Sequence, residues 1–429
     1  MVDEGPRSRR TFLGLVGAAM AGIAGCGKSE GNPSTTKTNT GTSTTTTTNT
    51  TTRDQTTSTT EEPEYTTSWP TYGYDLTNAG YVGTVPAAGQ NKQWEEFVEG
   101  YYTLSAPAVG SEVVCVGSDK FLYAFDRGAG RPLWQYKFNQ LAHDFTPTID
   151  EGMIYAGARG LRGTNQGSDK EGALAAIDAK SGDKLWQRGA LISGSPTLVE
   201  GSIIYPASSA STGSIVAADP SSGEETWRYD LGSNSSAFGT PAFDGDNLYA
   251  TGNRNDSGEV FALNSNGKEL WRFPVQSEIH SAPVVSNGQI LIGTPEGKIY
   301  SLNADGSKNW SLNLNRTIHS RISAGPNGVY AVAEGQVVAV DRSNVEIAWT
   351  ENIGFTHYST IAVSNDTLYV GGDNLLAFRP DGSLQWRKEI DGYAGAYGGP
   401  AVVEEGIYIG SCIKEERGDL YDNYLYLLN

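Results

Sequence analysis

The chain has 429 residues, 49 acidic against 31 basic side chains and a formal net charge of −18. Such a surface repels nucleic acid and an anionic membrane face, so nucleic acid is not expected as a partner and membrane contact is expected only through a lipid anchor. Fifty-three glycines, nine tryptophans and no sustained 3.6-residue apolar period point to short strands joined by tight turns, with almost no helix.

The chain opens on an address. Arg7-Ser8-Arg9-Arg10-Thr11-Phe12-Leu13 precedes an apolar run from Phe12 to Ile23, too short to span a bilayer and suited to a signal peptide. The arginine run resembles a twin-arginine export signal. Ile23-Ala24-Gly25-Cys26 resembles a lipobox, which implies that residues 1–25 are removed and Cys26 carries the lipid. Residues 34 to 60 hold seventeen threonines. A tract of this kind cannot bury enough apolar area to offset its ordering entropy, so residues 26–66 are expected to form a disordered stalk. A coil of about 40 residues reaches roughly 35 Å.

From Trp69 onward a single sentence repeats. It reads Asp178-x-x-x-Gly182-x-x-x-Trp186 in one copy and recurs as YAFDRGAGRPLW, VAADPSSGEETW, FALNSNGKELW, YSLNADGSKNW, VAVDRSNVEIAW and LAFRPDGSLQW. Eight tryptophans (Trp94, Trp134, Trp186, Trp227, Trp271, Trp310, Trp349 and Trp386) are spaced 40, 52, 41, 44, 39, 39 and 37 residues apart. A period near 40 with four short strands per unit predicts a β-propeller. The reading is all-β: eight four-stranded antiparallel blades over residues 67–429. The segment Gln93-Trp94-Glu95-Glu96-Phe97 has no inner strands before it, while the chain ends after three strands around Ala401, Tyr408 and Tyr426. The N-terminal strand is therefore expected to complete the last blade and close the ring.

The repeat resembles that of the PQQ-enzyme-like propellers, and Trp69-Pro70-Thr71-Tyr72-Gly73-Tyr74-Asp75 resembles the lead-in that precedes them. That family holds both quinoprotein alcohol dehydrogenases and non-catalytic lipoproteins, among them the propeller subunit of the outer-membrane β-barrel assembly machinery. The dehydrogenases stack their quinone on adjacent paired cysteines and hold calcium through acidic and amide side chains. This chain has only Cys26, Cys115 and Cys412. PQQ is therefore not expected, and Cys115 and Cys412 are expected as free thiols. Export signal, lipobox, threonine stalk and acidity together resemble a haloarchaeal lipoprotein.

Two insertions, Ala158–Glu171 and Ser411–Asn423, fall on the face opposite the short glycine turns, where a scaffold places function. The same rim collects every histidine. His143, His280 and His319 follow their tryptophans by nine residues and His357 by eight, placing them at the channel mouth. They either brace the blade crossings or line a ligand pocket. Neutral imidazoles of His280, His319 and His357 suit a transition metal. Arg316 and Arg321 suit an anion instead, and Tyr397 occupies an equivalent position in the last blade. Two functions stand: a non-enzymatic, lipid-anchored, monomeric cell-surface scaffold that binds a protein or glycan through this rim, or a quinone- or metal-dependent enzyme seated over the channel.

Overall fold

The computed structural model describes residues 67–429, apart from 86–89, 101–103, 139–141, 143–144, 160–171, 210, 319, 355–358, 396–397 and 415–420. The anticipated signal and stalk, with Cys26, lie outside the described residues. Seven sheets are consecutive four-stranded antiparallel meanders. Blade 1 is typical, running from an inner strand at Ala108–Val109 through Val113–Ser118 and Phe121–Asp126 to an outer strand at Pro132–Lys137. No helix occurs among the described residues.

The eighth sheet closes the ring as expected. Lys92–Val98 pairs antiparallel with the C-terminal strand Tyr421–Leu428, with Phe97 opposite Tyr424 and Trp94 opposite Leu427. In this blade the second strand runs to Lys414 and the third begins at Tyr421, so both described ends of the anticipated Ser411–Asn423 insertion, 411–414 and 421–423, are strand. The fold is an eight-bladed propeller. The core lies between blades: each apolar cluster joins two neighbours, as where Cys115 and Leu122 of blade 1 meet Ile154 and Ile177 of blade 2. Burial on both faces explains why second and third strands read as continuous apolar runs such as Val113–Val116.

The tryptophans staple one blade to the next. All but Trp94, which faces Leu427, pair with a small third-strand residue, Ala124 with Trp134 and Ala176 with Trp186 for example, and a register shift follows at once. The bulge re-aims the indole toward the next blade. There it lies on the turn glycine, whose own Cβ, if present, would sit 2.6 Å from Trp134 at Gly182. That glycine also has φ +75, which L side chains avoid. The indole N–H donates to a turn carbonyl: Trp134 to Ala179 (2.9 Å), Trp186 to Pro220 (2.8 Å), Trp271 to Ala304 (2.7 Å). The repeat tryptophans are half-buried. Their exposure follows from their place on the outer strands, at the circumference of the ring.

The lead-in forms a strap across the central channel. Its backbone carbonyls accept from the channel-facing N–H groups at the ends of inner strands. Trp69 exchanges bonds with Val109 of blade 1, Pro70 accepts from Ile149, Leu76 from Phe243, Thr77 from Val285, and Ala79 from Ala324. Gly80 accepts from Val363 of blade 7, and Thr67 Oγ1 accepts from Glu404 N of blade 8. The Gly80 N–H donates to the Gly73 carbonyl (2.9 Å), folding the strap back on itself. Both glycines have positive φ, and a Cβ on Gly80 would meet the Ile361 carbonyl at 2.8 Å. That crowding accounts for the glycines in the lead-in. Every strap partner sits beside an inner-to-second turn, so the strap occupies the turn-face end of the channel.

Candidate functional site: the central vestibule

Above the strap the channel widens into a vestibule of about 540 Å³, within the roughly 300–1,000 Å³ of small-molecule sites. Its walls are the residues that lead into the inner strands of all eight blades. Its floor is Trp69, Tyr72 and Gly73 of the strap together with Arg321 of blade 6. Tyr72 lies deep in the molecule yet keeps surface open to the vestibule.

Arg321 fastens floor to wall. Nη1 donates to the Asn78 carbonyl (2.7 Å), and the guanidinium carbon stands 5.0 Å from the centre of the Tyr72 ring. The side chain is only 4% exposed. Burial pushes its guanidinium down from the usual arginine range, opposed by Tyr72 and Asp75. Burial likewise raises Asp75, against hydrogen bonds donated by the Thr77 backbone N–H and hydroxyl. Asn78 completes the attachment, its amide donating to the Thr240 and Pro283 carbonyls of blades 4 and 5.

Of the residues singled out from sequence, His280 lines the vestibule. Its ring packs 5.7 Å from Phe238, and Nε2 lies 3.0 Å from Glu278 Oε2. Arg321 lines it too, but chiefly as the brace of the strap. Arg316 is half-buried against the Gly297 backbone and does not line the vestibule. His143, His319, His357 and Tyr397 lie outside the described residues. Sequence reasoning missed Arg159, Tyr72 and the strap floor. The signal was available in the glycine spacing of Trp69-Pro-Thr-Tyr-Gly73 to Gly80, which marks a close backbone approach and not merely a lead-in.

The requirements of a quinone site are not met here. Cys115 and Cys412 are free, buried inside blades and absent from the vestibule wall. Burial raises both thiols, Cys412 to about 11. Among the described residues no aspartate or glutamate lines the vestibule.

The comparisons agree with this architecture. Residues 78–210 and 211–360 both match the family described as outer membrane protein assembly factor BamB. The chain belongs to that family. It is 24% identical to outer membrane protein assembly factor BamB of Shewanella oneidensis over 336 residues, 72% of this chain and 82% of the relative. Against its counterpart from Burkholderia pseudomallei it is 39% identical over 107 residues, covering 25% of this chain and only 26% of that relative. In structure it resembles BamB from Moraxella catarrhalis, with TM-score 0.59, 16% identity, and coverage of 79% of this chain and 99% of that one. It also resembles the quinohemoprotein alcohol dehydrogenase ADHIIG from Pseudomonas putida HK5, with TM-score 0.64, 15% identity, and coverage of 84% and 80%. At these identities the structural likeness speaks to fold alone.

Proposed function

We propose that the protein is a non-enzymatic binding scaffold, held at the outer side of the cell membrane by a lipid on Cys26 and a threonine-rich stalk. The propeller works as a monomer and offers its loop-bearing rim to a protein or glycan partner. The observation that carries this reading is the asymmetry of the ring. The turn face is filled by the strap and receives the chain at Thr67, which accepts from Glu404 N. The opposite face keeps the concave vestibule, lined by residues of all eight blades. The relatives named as assembly factors support a protein partner for such a surface. His143 and His319 share His280's nine-residue offset from the preceding tryptophan in sequence and His357 stands at eight, so all three are proposed for the same rim.

The test is cross-linking capture from native cells with two altered chains. One replaces residues 160–171 by a short Gly-Ser turn; the other changes the turn face through Glu151→Lys and Glu200→Lys, both exposed. The partner should be lost only from the first. Loss from the turn-face chain alone would refute the rim assignment. Cys26→Ser should move the protein from the membrane to the soluble fraction, because the lipid supplies the membrane affinity.

A further inference from the structure

In a chain with 49 acidic and 31 basic side chains, the described lining of the vestibule holds Arg159, Arg321 and His280 and no carboxylate. This is a local reversal of the protein's charge. Arg321 is its deepest member. Nη1 is committed to the Asn78 carbonyl, Nη2 reaches Thr360 Oγ1 only at 3.5 Å, and Nε has no hydrogen-bond partner. None of the ion pairs among the described residues involves Arg321. Its charge is offset within the protein only by Tyr72 and the buried Asp75, and a guanidinium is the group that receives a carboxylate through two parallel bonds.

The rest of the lining narrows the ligand class. Hydroxyls at Ser105, Ser195, Ser281 and Thr360 come from four different blades, and each retains acceptor capacity beyond its own bond. Tyr72 on the floor and Phe238 on the wall offer aromatic surface half-open to the space. Converging hydroxyls with aromatic faces suit a polyhydroxylated ring; a sunken guanidinium suits an acid on that ring.

We infer that the vestibule binds an acidic saccharide, with its carboxylate at the guanidinium of Arg321 and its ring between Tyr72 and Phe238. The strap is then part of the binding site, since it supplies the floor and fixes the guanidinium. This small-ligand site is separate from the partner surface on the rim, and its test does not depend on that partner.

Titration calorimetry on the full-length chain, at fixed ionic strength, compares D-glucuronate with D-glucose, D-glucose 6-phosphate and PQQ. Glucuronate should bind with unit stoichiometry, at least tenfold tighter than glucose, and more weakly as salt rises. His280→Glu sets a negative charge at the exposed mouth and should weaken glucuronate roughly tenfold without touching the fold. Arg321→Gln should abolish binding. If that change loosens the strap and the chain does not fold, the His280→Glu result and the salt dependence decide alone. Equal affinity for glucose and glucuronate, no binding of either, or indifference to His280→Glu would overturn the inference. Preference for the phosphate would replace the carboxylate assignment, and tighter binding of PQQ would make this a quinone site.

Discussion

The junctions between blades are of two kinds. Where blade 2 meets blade 3, and at four similar junctions, a tryptophan lies on a turn glycine and donates to the adjacent carbonyl. Where blade 8 meets blade 1, Trp94 covers Gly130 but its indole nitrogen is buried without a partner. The carbonyl that would accept it, Arg127 O, is taken by the Tyr408 hydroxyl (2.7 Å). An ion pair clasps the seam instead. Arg127 is 1% exposed, donates from Nε and Nη2 to the two Glu405 oxygens at 2.5 and 2.8 Å, and from Nη1 to the Gly110 carbonyl. Blade 6 shows a milder version. Its turn replaces the glycine with Val345 at φ 58, and Arg342 reaches back to Ser286 Oγ (2.6 Å) in blade 5. Repeated local staples thus hold most of the ring. The point where distant parts of the chain meet uses a charge pair that joins them directly.

The strongest way to break this comparison is to remove what spans all junctions. A chain lacking residues 67–84 leaves the channel-facing N–H groups of several inner strands unbonded and the floor open. It should lose cooperative unfolding altogether, read by circular dichroism and size exclusion. A soluble monomer with an unchanged melting curve would show that the staples alone close the ring.

Next comes the clasp. Arg127→Met leaves Glu405 without its partner and should cost about 3–5 kcal/mol in denaturant unfolding. Replacing both Arg127 and Glu405 by methionine should recover most of that loss. Arg342→Met, which removes bonds to neutral groups, should cost only about 1 kcal/mol. Equal costs at Arg127 and Arg342 would erase the distinction between the seam and blade 6.

A pair of glycines isolates the staple itself. Gly152 and Gly182 share nearly the same positive φ, 79 and 75. A Cβ at Gly152 meets nothing within 4 Å, whereas at Gly182 it would press into Trp134. Gly152→Ala should therefore cost about 1–2 kcal/mol of backbone strain alone. Gly182→Ala should cost about 1–3 kcal/mol more, from overpacking against the indole. Identical melting shifts would mean that the glycine serves only its turn.

The staples were legible because they are local: Asp, Gly and Trp recur at fixed spacing, and strand closure followed from counting strands at the two ends. The bulge after Ala176 left its trace too, as a small residue two before each turn aspartate or its replacement, but that trace makes sense only once the indole's direction is known. The clasp was not legible. Arg127 and Glu405 are 278 residues apart; Arg127 stands at a variable position of the repeat and Glu405 outside it. The vestibule was half legible. His280 was placed by its offset from Trp271, whereas Arg321 was read as a ligand contact when most of its bonding serves the strap. A side chain that braces one element and lines another cannot be divided between those roles by spacing.

The smallest expected effect separates the turns from the clasp by pH. Asp219 accepts from the Ser221 and Ser222 hydroxyls and backbone N–H groups, and Asp178 from Ser181 and Lys180. These bonds hold both carboxyls below the ordinary aspartate range, and Asp305, Asp341 and Asp381 are lowered in the same way. With the folded value depressed, the stabilisation is complete above the unfolded value of about 4 and fades as pH falls through the folded one. Unfolding at stepped pH should therefore show a gradual loss below about pH 4 that Asp219→Asn reduces, since the amide oxygen can still accept but does not titrate. Asp219→Ala should lower stability at neutral pH and flatten the acid slope by a similar amount. An unchanged acid slope in both variants would place the acid sensitivity outside these turns.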